Sequence, residues 1–445
     1  MLRMYAGGRG LLARAEDRAK PFVRWGVTQG LPRNVMRQAA KRGDLQGRLI
    51  NNAVGSHTFD LIPLFDELRA SGPMHRGAFS QVTGHHALVH EVLASNDFRT
   101  GIPSAAAGPL QRLADWSALE VFNPVQPPSL LVTEPPDHTR YRKLVTRVFT
   151  VRAVESLRER TEQVAAELLD SLDPTSPVDL VERYCGLLPV TVISEILGVP
   201  TEQRDYILHL GAGAASSLDL GLSFREFRSV EACLREFDAW LTGHLTYLRA
   251  NPGDNLLSKL VAVRDEEGEL SELELKATAG LVLAAGFETT VNLLGNGIAL
   301  LRSHPEQLTL LREQPDLWPN AVDEILRFDP PVLLTGRVAA RDTELAGVPL
   351  QAGSVVTTVL AAANRDPEVF DDPERFDTQR ENARDHVSFS AGRHYCLGAA
   401  LARMEGEVGL RTLFDRYPDL ELLPGARRRG TRILRGYESL PARLA

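Results

Sequence analysis

Cysteine is scarce in this chain. Its three residues among 445, Cys185, Cys233 and Cys396, cannot all pair, and their scatter excludes a disulfide framework and a set of zinc ligands. Such usage fits a reducing cytoplasm. There is no fixed-period repeat, no low-complexity tract and no serine- or glycine-rich linker, so nothing divides the chain internally. No glycine-rich dinucleotide fingerprint follows a strand-like run. The first residues contain no secretory hydrophobic segment with a small-residue cleavage site. They also lack an apolar run approaching the roughly 18 residues that span a bilayer, so no transmembrane anchor is expected. A surplus of positive charge is missing too. With 58 Asp and Glu against 50 Lys and Arg, the net charge of −8 would repel nucleic acid.

What is present is unevenly spread. Residues 1–50 hold 11 Lys and Arg against 3 Asp and Glu, and read as a basic, partly ordered N-terminal extension ahead of one unit over 51–445. A solvated tail is the simplest reading of that extension, and peripheral contact with anionic lipid is the alternative. With 43% apolar residues the chain can bury a large core. Apolar positions three and four apart predict helices over 157–172, 180–197, 230–248, 272–301 and 397–414. Extended runs are fewer, at 78–83, 331–340 and 353–360. Residues 95–136 and 211–222 mix Gly, Pro, Ser and Ala without a steady period, and read as mobile loops over a pocket.

The stretch Phe389, Ser390, Ala391, Gly392, Arg393, His394, Tyr395, Cys396, Leu397, Gly398 sets one cysteine ahead of an apolar helix. Leu397, Ala399, Ala400, Leu401 and Ala402 are strong helix formers. The Cys396 sulfur is therefore expected at a helix start, where free amides and the dipole favour a negative charge. Gly392 and Gly398 let the backbone approach a flat group closely, and Phe389 is placed to pack beside the thiolate.

A second signal is the polar interruption Ala285, Gly286, Phe287, Glu288, Thr289, Thr290, flanked by Leu281, Val282, Leu283, Val291, Leu293 and Leu294. These flanks predict burial. A threonine hydroxyl bonded to a carbonyl one turn back, or an inserted water, would open a local kink. His138 and Arg142 share a face of a helix opened by Pro135, Pro136 and Asp137, while Arg140, Lys143 and Arg147 share another. Glu324 and Arg327 stand at helical spacing between Pro319 and the breaker pair Pro330 and Pro331. His86 and His90, with His85 beside them, have the spacing of a two-histidine metal site, but no third ligand is identifiable and they read as surface histidines.

Running in order from His138 to Gly398, these motifs closely resemble those of the cytochrome P450 family, with one departure, Ser390 where glycine is usual. The resemblance implies a mainly α, single-domain fold with small β-sheets, a triangular helical prism around haem. It makes 51–445 the haem domain and Cys396 the axial ligand of a haem b iron. His138, Arg142, Arg337 and His394 become the partners of its propionates, whose burial they would offset. By the same resemblance Thr289 hydrogen-bonds dioxygen and its waters and Glu288 relays protons from solvent. Glu324 held between Arg327 and Arg375 becomes a structural ionic knot. Leu130, Leu131, Leu333, Leu334, Ile433 and Leu434 edge an apolar pocket, although core packing explains any one of them equally well.

The implied activity is insertion of one atom of O2 into an apolar organic substrate such as a lipid, a terpenoid or a macrolide- or polyketide-like molecule. Electrons would come from a ferredoxin and an NAD(P)H-dependent ferredoxin reductase, with the ferredoxin docking on the face of Arg140, Lys143 and Arg147. Two other readings stay open. One is a peroxide-driven peroxygenase of the same fold, disfavoured by the presence of Glu288 and Thr289. The other is a non-catalytic haem-thiolate binding or sensor protein.

Overall fold

The computed structural model describes residues 19–101, 109–119, 121–147, 149–262, 264–265 and 268–444. Within them the basic leader is built into the body. A π-turn, Gly26–Gly30, feeds α1 (Leu31–Lys41), and Asp44 then caps α2 (Leu45–Asn52) by accepting from the Gly47 amide at 2.7 Å. Leu45, Leu49 and Ile50 are buried with Leu64, Phe65 and Leu68 of α3 (Ile62–Ala70). Trp25 donates from Nε1 to the Leu222 carbonyl at 2.9 Å, and Arg24 pairs with buried Glu231. The expected boundary at residue 50 therefore falls inside a helix whose apolar face belongs to the core. The part of the leader over 1–18 lies outside the described residues.

The chain continues through β1 (His75–Arg76), β2 (Gln81–Thr83), α4 (His86–Ala94) and β3 (Phe98–Arg99). Among the helices that follow are α5 (Asp137–Thr146), α6 (Arg158–Asp170), α7 (Leu187–Leu197), α8 (Arg204–Ala215) and α9 (Phe224–Ala250). Next come α10 (Glu272–Ser303), α11 (Trp318–Phe328), β4 (Thr335–Ala339), β5 (Val355–Thr358), α12 (Ala399–Arg416) and the short pair β6 (Arg427–Arg428) and β7 (Tyr437–Ser439). The larger sheet has the order β1-β2-β5-β4-β3, with β2 and β5 parallel and the other neighbours antiparallel. Arg337 on β4 lies opposite Val356 of β5. The result is the expected mainly helical fold with small sheets.

The long helix α10 organises the rest. Ser271 accepts from the Glu274 amide while Glu274 accepts from the Ser271 amide at 2.8 Å, a reciprocal cap that starts it. At 32 residues it extends about 48 Å. It is long and apolar enough to cross a bilayer, but 78% of its apolar window is buried against the protein, so that surface serves the core. Around it pack α7, α8, α9, α11 and α12.

Two expectations shift here. Helix α9 begins at Phe224, six residues before the expected 230, because Ser223 and Glu226 form the same reciprocal cap. The loop expected over 211–222 is helical through Ala215. Gly211 is there for close packing, since a Cβ at that position would lie 2.0 Å from the Phe287 ring of α10. Of the irregular stretch 95–136, residues 102–108 and 120 lie outside the described residues, and Pro109–Ser117 is a helix.

Candidate functional site

The cysteine loop is shaped by two left-handed positions. Ser390, at φ +64°, holds a conformation that favours glycine, which accounts for the residue usual there. Gly392, at φ +66°, leaves no room for a side chain, because a Cβ would stand 2.7 Å from Ala94 Cα and 2.8 Å from the Leu93 carbonyl of α4. The loop then doubles back so that the Cys396 amide donates to the Phe389 carbonyl at 2.9 Å, three residues before α12 begins. Cys396 is solvent-accessible yet deeply set among protein atoms. That setting pushes the thiol pKa up, while the Gly398 amide and the guanidinium groups of Arg142 and Arg403 oppose it. The Arg403 guanidinium lies 4.6 Å over the ring of Phe389, and Arg142 donates to the Tyr395 carbonyl at 2.7 Å. Both cations thus frame the sulfur.

Beside this loop the four expected cationic groups come together. The rings of His138 on α5 and His394 lie 4.4 Å apart. Arg337 is buried, donates to Ser390 Oγ at 3.3 Å, and is lowered by desolvation to a pKa of about 10. Desolvation also lowers both histidines, and the neighbouring positive charges push the same way, Arg142 on His138, and His138 and Arg337 on His394, which falls to about 4. Glu134 joins them unforeseen. It accepts from the Thr100 amide at 2.6 Å, from Arg393 at 2.9 Å and from His394 at 3.2 Å. Its position four residues before His138 was the available signal. A cavity of about 390 Å³, lined in part by Thr100, Glu134, Asp137 and Val338, adjoins this cluster.

On α10 the polar interruption is resolved without a break in the helix. The Thr289 hydroxyl donates to the Ala285 carbonyl at 3.1 Å, the back-bond expected from the sequence. Leu281, Ala285 and Thr289, four residues apart on one face, are not buried, whereas Val282, Leu283, Ala284, Phe287 and Glu288 are. The buried Glu288 carboxylate pairs with Arg429 at 2.7 Å, and burial raises its pKa against the pull of that charge. Sequence reading did not find Arg429, which is remote along the chain.

The ionic knot forms with a different second arginine. Arg327 holds Glu324 through two hydrogen bonds of 2.7 and 2.8 Å, and Arg380 approaches the same carboxylate at 3.3 Å. Arg375, expected in that role, has a side chain 62% exposed and 3.5 Å from Asp377, and contributes its carbonyl as acceptor for Arg327 and Arg380. The backbone turns the Arg375 side chain outward and Arg380 inward.

Other expected groupings change as well. Leu333 has no exposed surface and packs with Leu61, Leu64 and Val82, so it is core and not a wall of a pocket. The backbones of 332–333 and 433–434 pair; Leu334, Leu434 and Leu130 are buried, Ile433 is half-buried against the cluster that holds Leu333 and Leu334, and Leu131 is exposed. Arg140 is taken up by Glu274 at 2.6 Å, leaving Lys143 on α5 and Arg147 just after it exposed. His86 bonds the Asp385 carbonyl and His90 is exposed. It is His85 whose donor atoms lie within 4.8 Å of those of Asp366 and Glu368, a third-ligand grouping that the sequence did not disclose.

The residues present fit a haem. His138 Nε2 is buried without a hydrogen-bond partner among the described residues, near the half-buried Arg142 guanidinium, a donor set suited to carboxylates. The accessible Cys396 sulfur suits an iron, and an ideal Cβ on Gly398 would meet nothing within 4 Å. Comparison with known proteins agrees. The family model described as Cytochrome P450 matches residues 230–429. A protein of Mycobacterium tuberculosis named putative cytochrome P450 140 is 51% identical over 96% of this chain and 98% of its own length. The 6-deoxyerythronolide B hydroxylase of Saccharopolyspora erythraea is 44% identical over 70% of this chain and 77% of its own. Among solved structures, the ligand-free CYP164A2 of Mycobacterium smegmatis superposes with a TM-score of 0.80 at 31% identity, covering 90% of this chain and 99% of that one.

Proposed function

The chain belongs to the cytochrome P450 family and is an oxygen-incorporating oxidoreductase; from that premise we propose that it binds haem b through Cys396 and hydroxylates or epoxidises an apolar, macrolide- or polyketide-like substrate in the cytoplasm, with electrons from a ferredoxin and its NAD(P)H-dependent reductase. The observation that carries this reading is the Cys396 thiol, accessible but deeply set, framed by Arg142 and Arg403. When bound, the haem supplies the redox chemistry that activates dioxygen.

The chain's own residues hold and feed that group. Cys396 offers the thiolate, which Arg142, Arg403 and the Gly398 amide help keep charged. Phe389, buried beneath Arg403, keeps water from the sulfur side. His138, Arg142, Arg337 and His394 hold the propionates, with Glu134 and Arg393 bracing His394. On α10, the Thr289 hydroxyl donates to the Ala285 carbonyl, which leaves its oxygen as an acceptor able to hold a proton-bearing water by a hydrogen bond. Glu288, one residue earlier and paired with Arg429, is the carboxylate that brings that proton from solvent. The hydroxylase relative named for 6-deoxyerythronolide B supports the substrate class.

The test is spectroscopic and then chemical. Reduced, carbon-monoxide-treated protein is expected to show the red-shifted thiolate band, and Cys396→Ser to lose it. Apolar polyketide-like candidates are expected to shift the Soret band, and turnover under isotopically labelled dioxygen to put one labelled atom in the product. Absence of the thiolate band, or product formed only with added peroxide, would overturn the reading.

A further inference from the structure

Two parallel strands leave the larger sheet at the same end. Thr83 of β2 stands opposite Thr358 of β5, and the Val359 amide donates to the Thr83 carbonyl at 2.9 Å, so the two chains run out side by side. One passes through Gly84 and His85 into α4, and the other through the helical turn Leu360–Ala363 to Asp366. They stay in close contact. A Cβ on Gly84 would lie 2.8 Å from Ala362 Cβ, and Val89 and Leu93 of α4 are buried with Leu360 and Ala363.

This packing brings three potential metal ligands together. Asp366 is buried, and its Oδ2 accepts from the His86 amide at 2.7 Å, the first amide of α4, while its Oδ1 accepts from the Glu368 amide at 3.1 Å. The Asp366 carbonyl accepts from the amides of Val369 at 3.0 Å and Phe370 at 2.9 Å, which winds 366–370 into a tight turn and sets Glu368 beside Asp366. One donor atom from each of His85, Asp366 and Glu368 lies within 4.8 Å of the other two. His85 Nδ1 stands 4.0 Å from Asp366 Oδ2, too far for a hydrogen bond. Two ligands of a tetrahedral zinc ion stand about 3.3 Å apart, so a small rotation of exposed Glu368 and half-buried His85 closes the three around one ion.

The charges at this place are unbalanced. Among the described residues no arginine or lysine pairs with Asp366 or Glu368, and the two acids face only a histidine ring. That ring makes no hydrogen bond among the described residues, and its Nε2 is buried, so nothing else claims it. A carboxylate buried without an opposite charge is costly, and a bound cation offsets the cost. One imidazole nitrogen with two carboxylates suits a borderline ion such as zinc, whereas magnesium and calcium favour about six or more oxygens. The neighbouring histidines are not part of the grouping, since His86 bonds the Asp385 carbonyl at 2.8 Å and His90 is exposed.

We propose that His85, Asp366 and Glu368 form a binding site for one divalent transition-metal ion of the zinc type, separate from the haem iron. It lies at the N-terminal end of α4, whereas the cysteine loop packs against Leu93 and Ala94 at the other end of that helix. The ion takes His85 Nδ1 and one oxygen from each acid, with water completing the shell. It staples the start of α4 to the turn 366–370, and therefore stabilises the folded chain as free zinc rises.

The test uses the full-length, haem-loaded protein after treatment with a chelator. Calorimetric titration with zinc chloride is expected to show one saturable site, and zinc to raise the melting temperature. His85→Ala and Glu368→Ala are each expected to weaken binding by at least about 10-fold and to remove that rise, with the reduced carbon-monoxide band unchanged. Both side chains reach solvent, so these variants decide the matter even if Asp366→Asn, which alters the cap on α4, fails to fold. His90→Ala is expected to bind zinc as wild type does, and magnesium chloride to produce neither heat of binding nor a shift in melting.

The proposal is overturned if zinc shows no saturable binding, or if His85→Ala and Glu368→Ala bind it with wild-type affinity, which would mean an adventitious ion only. Loss of the site in His90→Ala would place it elsewhere on α4, and an equal response to magnesium would exclude a nitrogen-containing ligand set.

Discussion

The Tyr141 hydroxyl donates to the Glu274 carboxylate at 2.6 Å, fastening α5 to the first turn of α10. Arg140 donates to the same oxygen at 2.6 Å, and the Ser271 amide to the other at 2.8 Å. Three donors from two helices thus meet on one acid, so the helix that carries His138 and Arg142 is indexed to the helix that carries Glu288 and Thr289.

Acid sensitivity follows from that junction. Desolvation pushes Glu274 up, but the Tyr141, Ser271 and Arg140 bonds outweigh it and bring the carboxyl to a pKa of about 2, against 4.5 ordinarily. Because the folded value is the lower one, the stabilisation is complete above pH 4.5 and is lost as pH falls from there toward 2. Glu274→Gln should cost about 1–2 kcal/mol at pH 7, after solvent screening, and flatten the acid limb of a urea-melt series. An unchanged limb would show that the junction adds no stability.

The knot around Glu324 separates two arginines five residues apart. Glu324→Gln leaves the buried Arg327 uncompensated and should destabilise by about 3–5 kcal/mol. Arg380→Ala should cost a measurable part of that. Arg375→Ala, removing an exposed side chain, should stay within about 0.5 kcal/mol. Denaturant midpoints of the three variants decide the matter, and a large loss for Arg375→Ala would contradict the arrangement.

Backbone strain in the cysteine loop can be read by exchange of residues. Ser390→Gly relieves a left-handed non-glycine position worth about 1 kcal/mol, offset in part by the lost 3.3 Å contact with Arg337. Gly392→Ala meets α4 backbone and should lower both stability and haem retention. Thermal melts and the haem-to-protein absorbance ratio measure the two effects.

Thr289→Ala removes the hydroxyl without disturbing the haem-binding groups. Haem content should match wild type, while the fraction of reducing equivalents lost as hydrogen peroxide rises. Full coupling in this variant, measured as product formed per NAD(P)H consumed, would contradict proton delivery through Thr289.

For electron delivery, Lys143 on α5 and Arg147 just after it are exposed cations, whereas Arg140 is engaged by Glu274. Changing both to Ala should raise the apparent KM for ferredoxin and weaken its salt dependence. Steady-state kinetics over a range of ionic strength measure this, and unchanged values would remove α5 as a docking face.

Local signals sufficed for much of this molecule. The long helices were legible because their apolar periods persist over many turns, and the Cys396 and Glu288–Thr289 motifs because their chemistry lies within ten consecutive residues or fewer. The start of α9 could have been read too, since Ser223 and Glu226 are spaced as a capping box. Gly211 misled for a physical reason: glycine permits both a loop and a close helix crossing, and only the Phe287 ring across the gap tells them apart.

By itself, then, the order of residues determined the helical class, the cysteine set just ahead of an apolar helix and the alcohol that bonds one turn back, each a matter of neighbours along the chain. Tertiary structure alone decided that Arg380 and not Arg375 meets Glu324, that Glu134 braces His394, that Leu333 is core, and that Arg429 holds Glu288. The reason is one of distance. Which of several like side chains reaches a buried charge depends on how segments tens to hundreds of residues apart are packed, and a burial penalty that forces such pairing has no local trace in the chain.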